Sequence, residues 1–376
     1  MNKFKELLTA MLIFPVIVNA QENPGAVFLM IYPGARQVGM AGAFSAIADD
    51  ALATYYNPAG LGFQKSVDFS FHHSNWLPGL HPGMSYQYTA LSLPIYKGLT
   101  FAASMTYLST GKTEVINEQG EYLGEYYPYD KVTAISLGIE PFSILGHEPI
   151  LSLGVTFKDI TSFLVPSWVW VLMPELGIDS GGTASSTAQD FGVLIHTPAL
   201  SFGQFGLGLG WQNIGHRMVY FPGTDGDPLP LAFNTGVSYK ITAKDWLKGK
   251  KFFDFGKGLE WATKWFLEES HISIAFDIHK VLIGSKRPWY SFGVEFAPLA
   301  PLAIRMGYFK DADGLRVGTT YSVGLDLKFL RLDFGSDADI YDFPTDNWRL
   351  AVALNIGTPI LSKDGIFGSF FGRQKE

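Results

Sequence analysis

Residues 317–328 read VGTTYSVGLDLK, and they alternate without a break. Val317, Thr319, Tyr321, Val323, Leu325 and Leu327 form one face. Gly318, Thr320, Ser322, Gly324, Asp326 and Lys328 form the other. A period of two with one apolar face is the mark of a strand buried on one side. The stretch 271–280 repeats the pattern, with Ile272, Ile274, Phe276 and Ile278 set against Ser273, Ala275, Asp277 and His279. Stretches 99–107 and 349–356 do the same. Alternation alone fits two folds. In a soluble sandwich the polar face meets water, whereas in a transmembrane barrel the apolar face meets lipid and the small or polar face lines a lumen.

Composition and strand number choose between them. Only 17% of the 376 residues are charged, against about a quarter in soluble domains. The chain carries 41 Gly and 15% aromatic residues, in keeping with many strands and tight turns. About fourteen alternating segments follow one another from 65–74 to 346–357, among them 149–159 and 187–197, each of roughly the ten residues that a membrane strand needs. Connections such as 110–130, 160–186 and 214–230 are long, and those near residues 96, 298–300 and 327–328 are tight. Outer-membrane barrels have long external loops and short periplasmic turns. The reading is therefore all-β: a transmembrane antiparallel β-barrel of about 14 strands over 65–357, in a cell outer membrane and in contact with its lipid.

Other features bound the function. Net charge is -7, which disfavours a nucleic-acid partner held through phosphates. There is no cysteine, so thiolate chemistry and disulfides are absent. Residues 1–20 read as a cleavable signal peptide: Lys3 and Lys5, an apolar run from Leu7 to Val18, then Val18-Asn19-Ala20 ahead of Gln21. Residues 358–376 read as a tail ending in Arg373-Gln374-Lys375-Glu376.

A barrel of this size poses a problem of volume. Fourteen strands about 4.8 Å apart and tilted by about 40° give a backbone diameter on the order of 28 Å. Side chains alone cannot fill that width. Residues 21–64 precede the first strand, and their core, 34–63, reads GARQVGMAGAFSAIADDALATYYNPAGLGF. It is rich in Gly and Ala, lacks alternation, and carries the acidic pair Asp49-Asp50 and the run Asn57-Pro58-Ala59-Gly60. Such a segment can lie close against a lumen wall of Gly, Ser and Thr, so it reads as an N-terminal hatch inside the lumen.

The same stretch, with its ADD and YNPAG runs, resembles the hatch of the FadL-like outer-membrane barrels. The resemblance extends to their PorV/PorQ branch through 183–198 (TASSTAQDFGVLIHTP), 207–240 and 303–354. The PorV-like resemblance implies a part in the type IX secretion system, binding cargo or partner proteins for export or surface attachment. The FadL-like resemblance implies the alternative, a channel for hydrophobic solutes such as long-chain fatty acids, with a lipid or other hydrophobic small molecule in the lumen. In that case Asn57, Pro58, Ala59 and Gly60 belong to a moving plug. The chain departs from the family pattern in its tail and in an insertion at 243–269.

That insertion falls in a gap that should be periplasmic. It carries Trp246, Phe252, Phe253, Trp261 and Trp265 among lysines, which suits a membrane surface or a periplasmic partner. An ordinary capping helix under the barrel mouth is the plainer reading. In the external loop 163–182, Trp168, Trp170, Leu172 and Met173 form a candidate binding surface, with Trp76, Leu77 and Leu80 beside it at the rim. The plainer reading here is that the loop folds over the mouth.

Catalysis and cofactors find little footing. His72 and His73 are adjacent on a strand, face opposite sides, and cannot share a metal. Gly206, Gly208 and Gly210 precede no helix and so are not a nucleotide loop. Asp311, Asp313, Asp337, Asp339 and Asp342 read as a solvated acidic rim rather than a calcium loop. The chain reads as a non-enzyme with no cofactor and no metal.

Overall fold

A computed structural model describes residues 23–79, 81, 83–247, 270–299, 301–313, 316–327, 329–336 and 347–357. The signal-peptide expectation, the tail, Leu80, most of the 243–269 insertion, and Asp337, Asp339 and Asp342 fall outside them.

Fourteen strands close into one antiparallel barrel. In chain order these are β1 (Val67–Asn75), β2 (Ser85–Tyr96), β3 (Leu99–Ser109), β6 (Tyr129–Ile139), β7 (Leu151–Phe163), β8 (Thr183–His196) and β9 (Gln204–Gly215). Then come β10 (Ala232–Thr242), β11 (His271–Val281), β12 (Trp289–Leu299), β13 (Leu302–Asp311), β14 (Arg316–Asp326), β15 (Leu330–Ser336) and β16 (Trp348–Ile356). The remaining two, β4 (Thr113–Ile116) and β5 (Tyr122–Tyr126), form a separate hairpin in the loop above β3 and β6. Each barrel strand pairs with its neighbours in sequence order, and β16 returns to β1 with Phe71 opposite Val352. Closure removes the sheet edges that an open sheet would expose.

Burial settles the choice between the two folds. On β11, Ile272, Ile274 and Phe276 are exposed, while Ser273, Ala275, Asp277 and His279 are buried. On β14, Tyr321 and Val323 are exposed and Thr320 and Ser322 are buried. The apolar face thus lies outside a closed barrel and the polar face inside. That is the reverse of a water-soluble sheet and matches a wall set in lipid. Among the described residues no helix is long and apolar enough to cross a membrane.

Aromatic side chains mark both ends of the wall. Tyr107, Tyr129 and Phe163 stack across β3, β6 and β7 at the long-loop end, with ring centroids 5.5 and 5.4 Å apart. At the other end Phe205 meets Tyr239 at 5.0 Å. Such girdles sit where hydrocarbon meets headgroups.

Candidate functional site

The N-terminal segment lies against inward-facing residues of opposite walls, so it occupies the lumen. Its signature residues account for that placement one by one. Asn57 is extended and accepts the Ala59 N–H at 3.1 Å, capping the 3-10 turn Pro58–Phe63. Its amide donates to Ser45 O at 2.9 Å and, across to β8, to Val193 O at 3.1 Å. Pro58 stands at the first turn position, where its missing N–H costs nothing. Ser152 of β7 donates to Ala59 O at 2.5 Å. A Cβ on Gly60 would meet Ala48 O, and one on Gly138 of β6 would lie 2.6 Å from Gly62 N. The wall is glycine here because backbone must touch backbone. Gly206 and Gly208 face Ala46 and Ser45 for the same reason.

The acidic pair joins an ionic network that is buried at Arg36, Asp50 and Glu295 and more open at Asp49. Arg36 reaches Glu295 of β12 through Nε at 2.9 Å and Nη2 at 3.0 Å. Its Nη1 reaches Asp49 at 2.5 Å. Asp50 accepts from Gln37 at 2.8 Å and from Arg331 of β15 at 2.8 Å, and it also caps Leu52 N–H at 3.0 Å. Arg305 joins Glu295 at 2.5 Å to Asp333 at 2.7 Å. His271 lies 3.0 Å from Glu295. The Asp49 side chain is 39% exposed, and the Arg36 guanidinium beside it holds its carboxyl down, at about 2.

Arg36, Glu295, Arg305, Arg331 and Asp333 were not singled out from sequence. The available signal was charge on the inward phase of the alternation in a charge-poor chain. Further anchors are uncharged or singly charged. Asp277 accepts Phe44 and Ser45 N–H at 3.0 and 2.8 Å, and Thr320 accepts Ala41 N–H at 3.1 Å. Three tyrosines, Tyr55, Tyr56 and Tyr86, donate to Leu29, Pro33 and Ile31 carbonyls and pin the leading part of the segment.

Above the segment, at the long-loop end, a cavity of about 360 Å³ opens. Val27, Met30, Ile31 and Tyr32 line it from the N-terminal side. Trp76, Val281, Trp289 and Phe309 line it from the wall, with Lys286, Arg287, Asp311 and Asp313 at the edge. Trp289 donates Nε1–H to Tyr32 Oη at 2.9 Å, tying wall to segment. Arg287 pairs with Asp313 at 2.7 Å.

The structure divides the external surface expected from sequence. Trp76 is half-buried against Tyr86 and lies under the Arg349 guanidinium at 5.5 Å. Leu77 donates its N–H to Asn347 at 2.7 Å. Trp168, Trp170 and Met173 belong to a different cluster, packed with Val115, Leu123 and Tyr126 of the β4–β5 hairpin and its flank. Trp170 is buried and donates to Gly181 O at 2.9 Å. The tryptophans therefore hold two loops together and do not present one continuous surface. Leu172 remains exposed, beside Val171. Trp246 sits in the short helix Ala243–Leu247, while Phe252, Phe253, Trp261 and Trp265 fall outside the described residues. His72 faces inward and is buried, and His73 lies outward beside Trp348.

No protein-family model matches the chain, and no curated protein sequence matches it. Among solved structures it is similar to the P. putida toluene transporter TodX, at 12% identity over 86% of this chain and 98% of that one, with a TM-score of 0.50. The fold is shared with TodX. The chain is also similar to the Ralstonia pickettii toluene transporter TbuX, at 12% identity over 90% and 99% of the two chains and a TM-score of 0.47. A Pseudomonas aeruginosa FadL homologue follows at 10%, 87%, 98% and 0.41. At such low identity a likeness speaks for architecture, and function rests on the lumen itself.

Proposed function

We propose that the protein is an outer-membrane channel for hydrophobic solutes, with residues 23–64 as its plug. The observation that carries this reading is the apolar cavity at the long-loop end. Its floor is the N-terminal segment, through Val27, Met30, Ile31 and Tyr32, so a solute bound there rests directly on the plug. A concave, largely apolar site with a few polar groups at its edge suits a small hydrophobic ligand. TodX, with which the fold is shared, is a toluene transporter, and that supports the same class of cargo. Binding of exported proteins at the external loops has less behind it, because Trp168 and Trp170 serve packing within those loops.

The test is uptake of labelled toluene and of a labelled long-chain fatty acid by cells whose lipopolysaccharide-bearing outer membrane carries or lacks the full chain. Faster uptake of at least one with the chain present is expected, and Trp289→Ala should reduce it by removing both the cavity wall and the Tyr32 bond. Faster uptake of neither solute would sink the proposal.

A further inference from the structure

The two halves of the lumen segment are held to the wall differently. Residues 57–63, Asn-Pro-Ala-Gly-Leu-Gly-Phe, contain no ionisable side chain. They bind β6, β7 and β8 by close backbone approach at Gly138 and Gly154 and by the bonds of Asn57 and Ser152. Residues 45–46 reach across to β8, β9 and β10, and residues 35–44 face β11 to β16. Glycines admit them too, at Gly293 and Gly307. This half adds two buried ion pairs to the wall, Arg36 to Glu295 and Asp50 to Arg331.

Removing one member of a buried pair leaves an uncompensated charge and is strongly destabilising. Thr320 and Asp277 also hold residues 39–45, but this half depends in addition on the charge of Arg36, and residues 57–63 do not. Arg36 also occupies the centre of the network, since it contacts Asp49, Asp50 and Glu295 together.

We propose that the plug opens on one side only. Residues 35–45 part from the β12–β15 wall when the Arg36 latch is released, while 57–63 stay seated on β6–β8. The solute path to the periplasm then runs along β12–β15. This rests on the channel reading above, and it makes Arg36 a positioning residue rather than a solute contact.

The absence of native cysteine allows a direct test in the full chain. Single thiols are placed by Ala41→Cys and Ala59→Cys, both at buried positions, and labelled with a membrane-impermeant maleimide in liposomes. Adding Arg36→Met should speed labelling at position 41 on the order of tenfold or more, since one partner of a buried pair is lost. Labelling at position 59 should not change. Ala43→Cys serves if Ala41→Cys does not fold, and Glu295→Gln serves in the same way for Arg36→Met. Equal acceleration at both positions would mean that the segment leaves as a unit, and no acceleration at position 41 would mean that Arg36 holds nothing. Either result overturns the proposal. Solute uptake by the unsubstituted chain is read separately, so a failed channel reading is not confused with a failed latch.

Discussion

Asn57 shows how much one side chain can hold when it stands between two walls. Its Oδ1 caps a turn, and its Nδ2 serves a carbonyl in its own segment and another on β8. Asn57→Ala removes all three bonds in a site with no exposure. A lost cap costs about 1 kcal/mol and each buried carbonyl left unpaired about 1–3 kcal/mol. The losses overlap, so a total of about 2–4 kcal/mol is expected. It should fall on the segment and leave the barrel intact. Limited proteolysis within 34–63 should accelerate, while the heat-modifiable gel shift of the barrel is kept. Asn57→Asp keeps the acceptor but turns a second oxygen toward the Ser45 and Val193 carbonyls in a buried site, so it should cost at least as much as Asn57→Ala. At this scale the sequence was informative about which residues matter and silent about their partners. Asp49, Asp50 and Asn57 stand out because they are polar in a run of Gly and Ala. Arg331, the partner of Asp50, and Glu295, the partner of Arg36, each lie over two hundred residues away in sequence, and only closure of the barrel brings them within reach.

The elements were more legible, because a barrel strand obeys one rule along its whole length. All fourteen alternating segments became strands, and most ends agree within a few residues. The larger departures are at the long-loop ends. There β7 runs on to Phe163 beyond the expected 159, and β8 starts at Thr183 instead of 187. These extensions pair with each other up to the girdle, Phe163 opposite Thr183, where hydrocarbon gives way to headgroups and apolar alternation weakens. The β4–β5 hairpin was missed for the same reason. It pairs only with itself, and its sequence answers to water and to the tryptophans beneath it. Inversion of the faces has a measurable consequence. Phe292 points outward and Ser291 inward on β12. Phe292→Arg should cost about 2–4 kcal/mol if it lies near the midplane. Ser291→Ala should be near neutral, because the buried hydroxyl has no hydrogen-bond partner. Urea titration of folding into lipid vesicles would compare them. The same outward face standing in water would lose almost nothing at Phe292→Arg, so a near-neutral result there would exclude a lipid-facing wall.

The molecule as a whole is a wall that cannot fill itself. A fourteen-stranded barrel encloses a lumen on the order of 28 Å across at the backbone, and its inward residues are largely Gly, Ala, Ser and Thr, as at Gly138, Ala275, Ser152 and Thr320. Small inward residues would leave such a lumen open if nothing else entered it. Residues 35–63 enter it, touch β6–β8 on one side and β11–β15 on the other, and are buried almost throughout. The wall owes little of its own closure to them. Its fourteen ladders are formed strand to strand, and β1 meets β16 directly through eight residue pairs. Deletion of residues 35–63 should therefore leave a folded barrel with an open bore. In planar bilayers the intact chain should show little ion conductance, and the deleted chain should show stable conductance steps of porin type. The inward ions Glu295, Arg305, Arg331 and Asp333 would then face water and should favour hydration of the bore. A deleted chain that stays folded by its gel mobility and conducts no better than the intact one would show that the lumen is closed by the wall and not by the segment.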